Sequence, residues 1–218
     1  MRFVLLLVVM TFATIAQSEV YTVAVPSQYA DIFLSETNDP KNGFRCPLSE
    51  ADVKYEVIRL PLARVLYELD RGTVDIGFPF VANEGRDRIA ARTMPVMQSR
   101  YFFVMEGDTS LDLDDPDQRI AFVRGFAGHA LFKNRVADGL EINELDQGLS
   151  LLAVGRVDAL MTTEQIYQHH TSPRTNRLKV RPAGEIRVGY YVGNEHHDLV
   201  AALNKGIDEC QDLALTSR

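Results

Sequence analysis

Tryptophan is absent from this sequence, and cysteine occurs only twice in 218 residues. Two cysteines exclude a disulfide-framework miniprotein, and their wide separation excludes the paired Cys-X-X-Cys of zinc ribbons and thioredoxin-like redox sites. Positive charge is also in short supply, with 23 Lys and Arg against 30 Asp and Glu and a formal charge of −7. A surface of that sign suits solubility and argues against nucleic acid as a partner. Nucleophile elbows and phosphate-cradling glycine loops are missing too, so nothing demands catalysis or a cofactor. The pairs His169-His170 and His196-His197 do not suggest a metal, because adjacent helical side chains point about 100° apart. The aspartates at 108, 112, 114, 115 and 117 lack the glycine and terminal glutamate spacing of a calcium loop and read as a solvated linker.

Long apolar runs are lacking as well, except at the start. Arg2, the apolar Phe3 to Met10 and the small residues around Ala16-Gln17-Ser18 read as a cleavable export signal over residues 1–18. That run is shorter than the ~20 residues needed to cross a bilayer. The mature chain is expected to begin near Glu19, which leaves enough residues for two lobes of about 100 each. An oxidising destination allows a bridge between Cys46 and Cys210; two separately buried thiols are the alternative.

Strands and helices alternate along the rest. Val20 to Val25, stopped by Pro26, and Val53 to Leu60, stopped by Pro61, have strand patterning. Leu62, Val65, Leu66 and Leu69 repeat at helical spacing before Gly72, and Val74 to Phe78 returns to extended structure. This strand-helix-strand order implies a parallel sheet. A short helix is expected over Arg86 to Arg92 and a strand over Tyr101 to Met105. The polar segment from Glu106 to Asp117 then marks a lobe boundary. A second series follows: strand Ile120 to Val123, helix Gly128 to Val136, a short strand at Ile142, helix Gln147 to Val154 ended by Gly155, and strand Ala159 to Met161. Residues 164 to 170 read as helix, Leu178 to Arg181 and Ile186 to Val192 as strands, and Asp198 to Leu215 as an amphipathic helix.

Two phrases stand in corresponding places of the two series: Leu69-Asp70-Arg71-Gly72-Thr73-Val74-Asp75 and Leu152-Ala153-Val154-Gly155-Arg156-Val157-Asp158-Ala159-Leu160. A third segment is Asn83-Glu84-Gly85-Arg86 with Pro95 nine residues beyond the arginine. With the exported start and the length, these resemble the periplasmic solute-binding proteins of extracellular family 3, which include the polar amino-acid receptors of ABC importers. The resemblance implies an α/β, two-lobed, type 2 periplasmic-binding-protein-like fold, each lobe a mixed sheet flanked by helices, with two hinge strands. Residues 19–105 would start lobe 1, 106–185 would form lobe 2, and 186–218 would return to lobe 1. It further implies a monomer in the periplasm that closes around a small-molecule ligand for an ABC permease or a membrane sensor, without catalysis, cofactor or metal. A dehydratase-like enzyme, as found in a few relatives with this fold, is the remaining alternative.

By the same resemblance Arg86 grips a ligand carboxylate, which suits a guanidinium fork; an arginine beside Arg88 and Arg92 could equally be a solvated helix residue. Tyr29 and Phe80 fall where the family lines its cleft with aromatic faces, and Asn83 belongs to the arginine segment. Gly125-Phe126 stands where the family has an anion-facing turn, with a ring in place of a hydroxyl. Thr163 replaces the aspartate that meets an α-ammonium, so an acid without an ammonium group, or another polar solute, is expected. Glu164 is the carboxylate available to an enzymatic reading. Residues 26 to 52 are few for a full first helix, which is expected to be short or missing.

Overall fold

Prolines set the first two chain reversals. Pro26 and Pro61 each end a strand and immediately precede a helix, with φ of −58° and −55°, the range that the pyrrolidine ring imposes anyway. The computed structural model describes residues 19–35, 43–107, 110–115, 117–128, 139–170 and 178–216. The expected leader at 1–18, most of the helix expected over 128–136 and part of the polar segment at 106–117 lie outside the described residues.

Strand β1 (Tyr21–Pro26) leads into helix α1 (Ser27–Phe33), and helix α2 (Arg45–Glu50) into β2 (Tyr55–Leu60) and α3 (Leu62–Asp70). Both described helices before β2 are short, as the meagre spacing suggested, and Cys46 lies within α2. Leu62, Val65 and Leu69 form the buried stripe of α3, the face that its helical spacing dictates. Strand β3 (Ile76–Val81), helix α4 (Glu84–Asp87), β4 (Ala90–Arg92) and β5 (Met97–Glu106) follow. The helix expected over 86–92 is therefore half strand. Ala90 to Arg92 pair with Gly193 to Tyr191, and that ladder outweighs the local preference of Ala and Arg for helix.

The second series comprises β6 (Ile120–Val123), β7 (Leu140–Ile142), α5 (Leu145–Ala153), β8 (Ala159–Thr163) and α6 (Glu164–His169). Strand β9 (Leu178–Gly193) merges the two strands expected there into one of 16 residues, before α7 (His197–Thr216). The strands run in the order β2-β1-β3-β9-β5-β8-β6-β7, with β4 also on β9. β1, β2 and β3 are mutually parallel, as are β6, β7 and β8, whereas β5 and β9 run antiparallel to their neighbours. Two parallel α/β halves are thus joined through β5 and β9, whose mutual ladder carries an irregularity between Tyr101 and Phe102.

The repeated sequence phrases occupy equivalent places in the two halves. Gly72 and Gly155 each turn the chain after a helix at φ +67°, a conformation costly to any residue with a Cβ. The aspartate that follows each then braces the strand alongside. Asp75 accepts from Thr22 N–H at 2.7 Å, and Asp158 accepts from Arg119 N–H at 2.8 Å. Arg119 also forks onto Asp158 and holds that carboxyl below its usual range.

Helix α7 closes the first half. Cys210 on it is bridged to Cys46 on α2, with Cα atoms 6.1 Å apart, so of the two states open to these cysteines the bridge is the one found. A side chain at Gly206 would come within 2.5 Å of the Pro47 carbonyl oxygen, so the two helices meet backbone to backbone beside the bridge.

Candidate functional site

Helix α1 starts directly beyond the carboxyl end of β1, which puts Tyr29 in its first turn, facing the second half. There its phenol lies 3.2 Å from the hydroxyl of Thr163, the last residue of β8. Open α/β sheets gather ligand-binding groups at this end of their strands. Burial pushes the Tyr29 phenol up to about 12, against the opposing pull of the Thr163 hydrogen bond and the Arg86 charge.

Arg86 is placed by α4, a single turn whose entry is fixed by Asn83. The Asn83 side-chain oxygen accepts from Gly85 N–H at 2.8 Å, a helix cap. Asn83 N–H in turn donates to the Tyr191 phenol oxygen, and Tyr191 donates to Asp87 at 2.7 Å. With the turn held at both ends, Arg86 is buried, at 6 % exposure. Its guanidinium lies 4.9 Å from the ring centre of Phe80, within cation–π range. One terminal nitrogen donates to the Val81 carbonyl at 2.7 Å, and the other crosses to the second half and donates to the Gly125 carbonyl at 2.7 Å. Burial draws its pKa downward.

Gly125 occupies the turn after β6 at φ +83°, and a Cβ there would sit 3.3 Å from the Cα of Ala63 in α3. Both the backbone angle and the close approach favour glycine. Phe126 turns its ring onto Tyr101, centre to centre 5.1 Å. The phenol of Tyr101 accepts from the backbone N–H of Gly128 and is raised by burial. A side chain on Gly128 would strike the Met161 sulfur.

The structure therefore brings Tyr29, Phe80, Arg86, Gly125, Phe126 and Thr163 to one seam between the halves, while Asn83 supports that seam as a cap. Tyr101, Gly128 and Ala63 belong to it as well. Tyr101 reads in sequence as an ordinary strand aromatic, and its place follows from the pairing of Tyr101 with Thr163 across β5 and β8. Gln28, beside Tyr29, is buried, and neither end of its amide has a hydrogen-bond partner among the described residues. Glu164 lies just outside, its carboxylate held by the fork of Arg100 at 2.6 and 3.1 Å. No cluster of metal-ligating side chains occurs among the described residues.

Two α/β halves joined by a pair of strands, with a seam at the carboxyl ends of their parallel strands, define the two-lobed type 2 periplasmic-binding-protein fold. Solved structures agree. The arginine-, lysine-, histidine-binding protein ArtJ from the thermophilic bacterium Geobacillus stearothermophilus superimposes with a TM-score of 0.76 at 13% identity, over 89% of this chain and 90% of its own. A histidine kinase sensor domain with similarity to periplasmic binding proteins gives 0.75 at 18% identity, over 90% and 92%. An ancestral arginine-binding protein bound to glutamine gives 0.73 at 16% identity, over 88% and 92%. No family model and no curated protein sequence matches the chain.

Proposed function

We propose that this chain is a solute-binding protein of the periplasm, exported by a cleaved leader, that captures a small polar, carboxylate-bearing ligand between its lobes by hinge closure. The observation that carries the reading is Arg86. It is a buried cation at the seam whose hydrogen-bond partners are neutral carbonyl oxygens, one from each lobe. A desolvated charge is costly unless an opposite charge compensates it. A ligand carboxylate that takes over from the Gly125 carbonyl would supply that charge in the bidentate geometry a guanidinium favours. Tyr29 and Phe80 would flank the ligand, Gly125 and Phe126 would meet it from lobe 2, and Thr163 would offer a neutral hydroxyl. Residues 19–105 and 186–218 are assigned to lobe 1 and 106–185 to lobe 2.

The captured solute would pass to an ABC permease. Delivery to a membrane sensor is the second reading, favoured by the likeness to the histidine kinase sensor domain. Binding is preferred to catalysis because Glu164, the carboxylate an enzymatic reading would use, is bound by Arg100. The test is a thermal-shift screen of amino acids, organic acids and short peptides, followed by calorimetric titration of each hit against wild type and Arg86→Lys. A ligand that binds the native state raises the melting temperature, and the lysine variant should bind it about tenfold or more weakly. Equal affinity for both proteins would reject the carboxylate role of Arg86.

A further inference from the structure

A hollow of about 390 Å³ opens where β9, β3 and the β4–β5 connection meet, and Arg92, Arg187, Phe80, Tyr191, Met94 and Gly189 are among its lining residues. Strand geometry explains the grouping. Side chains alternate along β9, so residues 187, 189 and 191 share one face. Phe80 pairs with Gly189 and Arg92 with Tyr191 across the ladder, which puts both on that same face. Gly189 contributes no side chain, and a Cβ there would come within 2.9 Å of the Met94 carbonyl oxygen. The strand is thus low between a tyrosine and an arginine, with a second arginine on the neighbouring strand.

The charges in this hollow are poorly matched from within. The nearest carboxylate to Arg92 is Asp87 at 3.8 Å, beyond hydrogen-bonding distance, and Asp87 already accepts from Tyr191. The Arg187 side chain has no hydrogen-bond or ion-pair partner among the described residues. In the same chain Arg59, Arg64, Arg100, Arg119 and Arg124 each lie within 3.1 Å of a carboxylate. In a protein of net charge −7, two guanidiniums facing one concave space, with one long ion pair to Asp87 between them, leave a local excess of positive charge. We propose that this hollow is a binding site for a small oxyanion, a carboxylate or a phosphate, held by Arg92 and Arg187 rather than by Arg86, although Phe80 borders both this hollow and the seam. Guanidinium forks suit both anions. Arg187 stands on β9, one of the two strands that join the lobes, opposite Gln98 of β5, so the site would lie against the joining strands.

The experiment titrates the full chain with inorganic phosphate and, separately, with succinate at low ionic strength, with sodium chloride as the ionic control, and maps backbone amide shifts. Binding by one anion and not the other names the source. Shifts at Gly189 and Tyr191, and an affinity at least about tenfold weaker in Arg92→Ala/Arg187→Ala, are expected. Both side chains are substantially exposed, so the double variant should fold, and circular dichroism checks that it does. Arg86→Lys should keep this binding, which separates the outcome from that of the seam. The inference is overturned by an unchanged affinity in the double variant, by shifts confined to Arg86 and Gly125, or by no response to either anion beyond that to chloride.

Discussion

The guanidinium of Arg86 on lobe 1 donates to the carbonyl oxygen of Gly125 on lobe 2 at 2.7 Å. One hydrogen bond thereby joins two turns 39 residues apart, between the buried Arg86 and the half-buried Gly125. Removing the donor costs this hydrogen bond, a loss of about 1 kcal/mol. Arg86→Ala should lower the melting temperature and open the lobes, read as a larger radius of gyration in solution scattering. An unchanged radius would mean that other contacts hold the seam.

The same contact can be attacked from the opposite side. Gly125→Ala places a methyl group against the Ala63 backbone at 3.3 Å and forces a left-handed angle on a residue with a Cβ. The backbone term alone costs about 1–2 kcal/mol. The variant should therefore be less stable and more open, whereas Gly155→Ala, with open space around its Cβ, should lose stability without any change in compactness. The pair separates strain from steric wedging.

Gln28 gives a prediction of the opposite sign. Its buried amide has no hydrogen-bond partner among the described residues, and such groups retain their desolvation cost. Gln28→Leu should raise stability by about 1 kcal/mol, measured by chemical denaturation. If it also weakens binding of a ligand found by screening, the amide faces that ligand; a loss of stability would mean that the amide is satisfied in solution.

Alkaline pH should uncouple the seam. The Tyr29 phenol is held up to about 12 by burial, while an unfolded tyrosine ionises near 10. The raised folded value means that the contribution is fully present below about pH 10 and is lost as pH rises from there towards 12. Tyr191 behaves alike, raised to about 12 by burial and by its bond to Asp87. Absorbance at the phenolate band should show a delayed class of tyrosines, and Tyr29→Phe should remove one member of it.

Much of the architecture was legible because punctuation and periodicity agree locally. Pro26, Pro61, Gly72 and Gly155 mark chain reversals by their own backbone limits, and the stripe of α3 reports its buried face directly. The repeated phrases were recognisable because each combines a left-handed glycine with an aspartate that must cap a neighbouring strand. What escaped depends on partners distant in sequence. Ala90 to Arg92 form a strand only because β9 lies alongside, and the strands expected at 178–181 and 186–192 merge because β5 pairs across the gap between them, with an irregularity opposite Tyr101 and Phe102. At the seam, Tyr29, Phe80, Arg86, Gly125, Phe126 and Thr163 converge, yet nothing local tells that a carbonyl would meet Arg86 or that Tyr101 would complete the wall. Those facts follow from how two lobes abut, which no window of sequence contains.

The bridge between Cys46 and Cys210 has a consequence for the chain as a covalent object. Both cysteines belong to helices that pack together, and the stretch assigned above to lobe 2 lies between them in sequence. A single protease cut in lobe 2 would therefore leave the molecule in one piece until a reductant is added. On the proposed closure, the moving lobe would stay tethered through either of its two ends, and the nick would appear on a gel only after reduction.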